Sequence, residues 1–116
     1  MTDQPGLDVG AAADLPVEET LLVPASTTGT VPITIFHDET GFFALNDRCT
    51  HGNASLAEGW IEDGTVECPL HGSPFCLATG KALGLPATVA APTHRVEVVD
   101  GRLILYPGVP AEETEA

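Results

Sequence analysis

Apolar and polar residues alternate along this chain over short runs, and no segment sustains the 3.6-residue spacing of a helix. Glu18 to Val23 reads as a first strand, stopped by Pro24. Ala25 to Thr30 reads as a small polar loop. Val31-Pro32-Ile33-Thr34-Ile35-Phe36-His37 is rich in β-branched and aromatic residues, which suit a pleated, half-buried surface. Asp38-Glu39-Thr40-Gly41 marks a turn, and Phe42 to Asn46 returns as the second arm of a hairpin. Gly59 to Glu67 predicts two short strands around Glu62-Asp63-Gly64, and Phe75-Cys76-Leu77 predicts another. Thr93 to Val99 alternates at its centre, Asp100-Gly101 signals a tight turn, and Leu103 to Tyr106 returns. Short strands with turn signals between them predict an all-β sandwich or small barrel.

The two ends lack this pattern. Residues 1–16 carry Asp3, Asp8 and Asp14 with no apolar period, and are expected to be a flexible acidic leader. Residues 107–116 are dominated by Pro and Glu and are expected to be a frayed acidic tail. The 116 residues suffice for one modest core, placed at residues 17–106.

The charge balance narrows the partners. Seventeen acidic residues against four basic ones give a net charge of −13. Nucleic acid and anionic membrane surfaces are excluded, since both are bound through Lys and Arg. A basic protein surface is the complement, although the charge would also serve solubility alone. Glu58, Glu62, Asp63 and Glu67 are candidates to steer such a partner. No stretch reaches the ~18–20 apolar residues of a membrane span. Met1-Thr2-Asp3-Gln4-Pro5 has no signal-peptide character. Three cysteines, an odd number, argue against a disulfide framework and for a reducing, cytoplasmic setting.

Chemistry concentrates between Cys49 and Cys76. Cys49-Thr50-His51 is followed, after sixteen residues, by Cys68-Pro69-Leu70-His71-Gly72-Ser73. Two Cys-His pairs on Gly- and Pro-bearing segments are suited to zinc or iron. A Cys2His2 zinc site is one possibility, but zinc modules usually pair ligands as Cys-x2-4-Cys or His-x3-5-His. Mixed pairs suit a two-iron cluster, with both thiolates on one iron and both imidazoles on the other.

This arrangement resembles the signature of Rieske [2Fe–2S] proteins, Cys-x-His-x15-17-Cys-x2-His. The likeness extends from Phe42-Phe43-Ala44-Leu45-Asn46-Asp47-Arg48 to Thr79-Gly80, Leu85-Pro86-Ala87-Thr88 and Val96-Glu97-Val98-Val99-Asp100-Gly101. The chain is most similar to the small Rieske ferredoxins of bacterial ring-hydroxylating oxygenases. The resemblance implies an antiparallel β-sandwich or barrel with a smaller inserted cluster-binding subdomain at about residues 47–86. It implies one [2Fe–2S] cluster held by Cys49, His51, Cys68 and His71, with the imidazoles on an outer iron and Pro86 in a third, covering loop. It further implies a monomeric one-electron carrier rather than an enzyme, fed by an NAD(P)H-dependent flavoprotein ferredoxin reductase and feeding a terminal oxygenase. Alternative readings are the small subunit of a larger reductase, such as assimilatory nitrite reductase, and a zinc-stabilised binding module.

High-potential members of the family carry a disulfide between the cluster loops. Ala54 and Leu70 stand at the matching positions here. Ser73 keeps a hydroxyl found near the cluster in those members, and Phe75 lacks a second one. A low potential within the Rieske range is therefore expected. Leu56, Leu70, Phe75, Leu85 and Pro86 are candidates for an apolar rim around the tip, with core packing an equal alternative for Leu56 and Phe75. Cys76 stands where the family often has Asp, and reads as a small buried residue outside the ligand set. His37 and His94 read as ordinary strand residues, and Trp60 as packed within the cluster-binding half.

Overall fold

The computed structural model describes residues 6–50, 54–69, 72–84 and 89–109. Nine strands account for most of the regular structure among them: β1 (Leu7–Ala11), β2 (Thr20–Val23), β3 (Ile33–Asp38), β4 (Gly41–Asn46), β5 (Trp60–Glu62), β6 (Thr65–Glu67), β7 (Pro74–Cys76), β8 (Thr93–Val99) and β9 (Arg102–Tyr106). Six of them form an antiparallel sheet in the order β1-β9-β8-β4-β3-β2, which curls until it is nearly closed. The chain leaves this sheet after Asn46 and rejoins it at Thr93, building the three-stranded sheet β5-β6-β7 in between.

Strand β3 explains how the two parts are joined. Ile33 and Ile35 turn into the core of the large sheet, with Val23, Ala44, Leu103 and Leu105. Phe36 lies in a second core, with Leu45, Leu56, Val66, Phe75 and Leu77. Successive side chains of a strand point to opposite faces, so β3 is buried on both. Leu56 and Phe75, both fully buried, are therefore core residues and not part of an apolar rim. Asp38, at the end of β3, adds a polar link. One carboxylate oxygen accepts the Thr40 N–H (3.0 Å) and the other accepts the Gly64 N–H of the small sheet (3.0 Å). The Thr40 N–H, aided by that of Gly64 and the Thr40 hydroxyl, holds the Asp38 carboxyl below its ordinary value against the opposing effect of burial.

Three expectations are corrected. From Leu7 the chain expected to be a flexible leader instead forms β1, which pairs with β9 and is clamped by the Arg102 guanidinium on Asp8 (3.0 Å). Leu15 is buried in the main core, and His37 donates from Nδ1 to its carbonyl (2.6 Å). The tail stays attached through Val109, whose carbonyl accepts the Arg95 N–H (2.7 Å). Trp60 does not pack inward: it is 60% exposed, because in the three-residue β5 it is Ile61 that faces the core. A smaller difference is the polar loop after Pro24, which contains a single helical turn, Ala25–Thr28, closed by Gly29 in the left-handed conformation.

His94 is more than a strand filler. Its Nδ1 accepts the Gly108 N–H (2.9 Å), so Nε2 carries the proton and donates to Asn46 Oδ1 (2.6 Å). Burial holds its pKa below the ordinary imidazole value. The unfolded chain, titrating near ~6.5, then takes up the proton first. This contribution is complete above that pH and is lost as pH falls from there through the folded value. Thermal melts from pH 8 to 5 are expected to fall more steeply for the wild type than for His94→Gln. Parallel curves would contradict this.

Candidate metal centre

Two loops of the inserted half carry the Cys-His pairs, and both close in the same way. The Cys49 N–H donates to the Ala54 carbonyl (2.9 Å), and the Cys68 N–H donates to the Ser73 carbonyl (2.8 Å). Each cysteine thus opens a six-residue loop sealed by a bond to the fifth residue onward. In the second loop, the Gly72 N–H also returns to the Cys68 carbonyl (2.8 Å), with Gly72 at φ +76°. His51 and His71 lie outside the described residues, as do Leu70, Leu85 and Pro86.

Cys49 and Cys68 are 2% and 0% exposed and belong to the same core as Leu56 and Phe75. Both are free of disulfides, as is Cys76. A buried thiolate needs a positive partner, which a metal supplies. The donor chemistry therefore fits an iron–sulfur group bound through Cys49 and Cys68. Among the described residues, no group of three or more metal-binding side chains comes together, since two of the four predicted ligands stand at positions 51 and 71.

Asp47, which the sequence reading did not single out, anchors the first loop. It is 8% exposed, and its Oδ1 accepts from the Thr34 hydroxyl (2.7 Å), the Ser55 hydroxyl (2.8 Å) and the Ala57 N–H (3.0 Å). Its backbone adds a bond to Pro32 and one from Leu56. The carboxylate thereby ties both stems of the loop to β3. A third segment approaches from the C-terminal side: the Thr50 hydroxyl donates to the Val89 carbonyl (2.7 Å), and the Ala91 N–H to the Gly80 carbonyl (2.7 Å).

Cys76 lies on β7, which begins directly after the second loop closes at Ser73, and is partly exposed. Burial opposes its ionisation, but hydrogen bonds from the Thr79 hydroxyl and the Thr79 and Ala78 N–H groups, with the Lys81 charge, outweigh it. The thiol is held below its ordinary value. Those donors would also serve a carboxylate, such as the Asp that the family resemblance implies at this position.

The comparisons agree with this geometry. The Rieske [2Fe-2S] domain model matches residues 7–106. The 3-phenylpropionate/cinnamic acid dioxygenase ferredoxin subunit of Photorhabdus laumondii is 56% identical over 77 residues, covering 66% of this chain and 73% of that one. Its counterpart in Escherichia coli (strain K12) is 49% identical over 94 residues, covering 80% and 85%. A chain from the complex of reduced oxygenase and oxidized ferredoxin in carbazole 1,9a-dioxygenase superposes with a TM-score of 0.84 at 34% identity. The match covers 96% of this chain and all of that one. The chain therefore belongs to the Rieske [2Fe–2S] domain family and carries one Rieske-type cluster.

Proposed function

We propose that the protein is a one-electron carrier that takes electrons from an NAD(P)H-dependent flavoprotein ferredoxin reductase and delivers them to a terminal oxygenase acting on an aromatic compound. It works in the cytoplasm as a monomer and has no substrate of its own. Cys49 and Cys68 hold the inner iron, and His51 and His71 the outer one. The observation that carries this reading is the pair of matched loops, each opened by a buried, disulfide-free cysteine and sealed by the same backbone bond. The ferredoxin subunits of dioxygenase systems among its relatives support it. Among the described residues no helix is long and apolar enough to cross a membrane.

The cluster, when bound, supplies a reversible one-electron couple in the range of roughly −150 to +300 mV. The chain's own residues bury the two thiolates, exclude water through Leu56, Val66 and Phe75, and fix the loop backbones. Ser73 is fully buried at the end of the second loop, and by the family resemblance its hydroxyl would donate to the cluster and favour the reduced state. Ser73→Ala is expected to lower the midpoint by roughly 40 mV, equivalent to about 1 kcal/mol of differential hydrogen bonding. A potentiometric titration checks this, and an unchanged midpoint, or a wild-type midpoint well above 0 mV, would contradict it.

The carrier role is tested by reconstitution with a flavoprotein ferredoxin reductase, NADH and a ring-hydroxylating oxygenase. Product formation is expected to rise with this protein and then saturate. Equal turnover without it would overturn the proposal.

A further inference from the structure

The small sheet has an outer face that, among the described residues, is exposed at Trp60 and Glu62 and half-buried at its other four positions. Its register places Trp60, Glu67 and Pro74 in one cross-strand row, and Glu62, Thr65 and Cys76 in the next. Residues directly opposite one another share a face, so these six point one way. Ile61, Val66 and Phe75 form the other face and pack into the core.

Trp60 is the feature that a solvated face does not explain. At 60% exposure it leaves a large apolar ring in water on a strand that is otherwise well held. Gly59, just before it, lies so close to the Glu67 carbonyl that an added Cβ would come within 2.1 Å of the oxygen, which pins the start of β5. Glu58 and Glu62 are exposed on either side along the chain, and Glu67 stands directly opposite. None of the nine residues of β5, β6 and β7 is basic. An aromatic ring flanked by carboxylates matches an Arg or Lys side chain, which stacks on the ring while its charge pairs with the acids. Rigid exposed aromatics of this kind are typical interface anchors. Glu67 is also the residue before Cys68, so this face runs up to the second cluster loop.

We propose that this outer sheet face is a docking surface for a basic protein partner, with Trp60 as its anchor. The inference rests on the carrier reading and adds to it a contact surface beside the cluster loops. The acidic face draws the partner in, and Trp60 is buried when the two surfaces meet.

Basic mitochondrial-type cytochrome c is a suitable probe. Its reduction by the pre-reduced, cluster-loaded protein is followed by stopped flow at low ionic strength. Trp60→Ala combined with Glu62→Gln is expected to lower the second-order rate constant about tenfold and to flatten its salt dependence. Asp14→Asn combined with Asp100→Asn removes two exposed charges beside β1 and the β8–β9 turn, on the large sheet, and is expected to change it less than twofold. Ferricyanide, small and anionic, should oxidise all three proteins at similar rates. Equal rates for the wild type and the Trp60 variant, or an equal loss in the Asp14/Asp100 variant, would overturn the proposal. If no form, the wild type included, reduces cytochrome c, the carrier reading is at fault. Docking is then read from the fluorine resonance of 5-fluorotryptophan at Trp60, the one Trp in the chain. A shift on adding cytochrome c supports the docking surface, and an unmoved resonance contradicts it.

Discussion

Asp47→Ala is expected to destabilise the protein by about 3–5 kcal/mol and to leave most chains without a cluster. The carboxylate oxygen it removes serves three donors. Thr34 is 0% exposed, so its hydroxyl would lose its partner in a place water does not reach. A stranded buried donor costs about 1–3 kcal/mol, more when the lost partner was charged. The loss also frees both stems of the loop that begins at Cys49, so ligand positions are lost along with stability. Asp47→Asn keeps an acceptor and should cost less, about 1–2 kcal/mol. Urea denaturation together with iron and sulfide per chain checks both variants. An Asp47→Ala protein with wild-type iron content and midpoint would contradict the role assigned to this residue.

Gly80→Ala is the second substitution expected to have a large effect, of about 3 kcal/mol or more. An added Cβ would lie 1.9 Å from the Ala91 carbonyl oxygen, and the backbone at position 80 sits at φ +77°. The Ala91 oxygen belongs to backbone, so relief requires moving the chain that leads from residue 89 into β8. That chain holds the Thr50 hydroxyl through the Val89 carbonyl. Iron should therefore be lost to a chelator faster than from the wild type. Gly101→Ala is the control. It has nearly the same φ, +78°, but nothing within 4 Å of an added Cβ. It should cost about 1 kcal/mol, the conformational strain alone. Equal effects of the two substitutions would show that steric contact at position 80 does not matter.

How much of this was legible in the sequence follows from how local each signal is. The turns at Asp63-Gly64 and Asp100-Gly101 were readable, because positive φ at both positions (49° and 79°, 52° and 78°) is what a tight two-residue turn demands. The candidate ligands were readable because four reactive side chains at fixed spacing are rarely an accident. Strand β1 was not. Its five residues pair with β9, from Leu7 against Leu105 to Ala11 against Arg102, and nothing near them in the chain announces that partner. Asp47 sits between Asn46 and Arg48, a polar triplet that reads as ordinary loop. Only the fold shows its carboxylate turned inward to Thr34. Trp60 was misjudged for a related reason. A large apolar residue is a good guess for a core, but in a three-residue strand one position decides which face is buried, and Ile61 took the inner one.

Two thiolates on one iron and two imidazoles on the other make the two irons chemically different, and Mössbauer spectroscopy of the oxidised, iron-57-enriched protein reads that difference directly. Two quadrupole doublets of equal area with distinct isomer shifts are the predicted result. A single doublet, from two irons in the same all-thiolate environment, or a colourless protein containing zinc and no iron, would contradict the account.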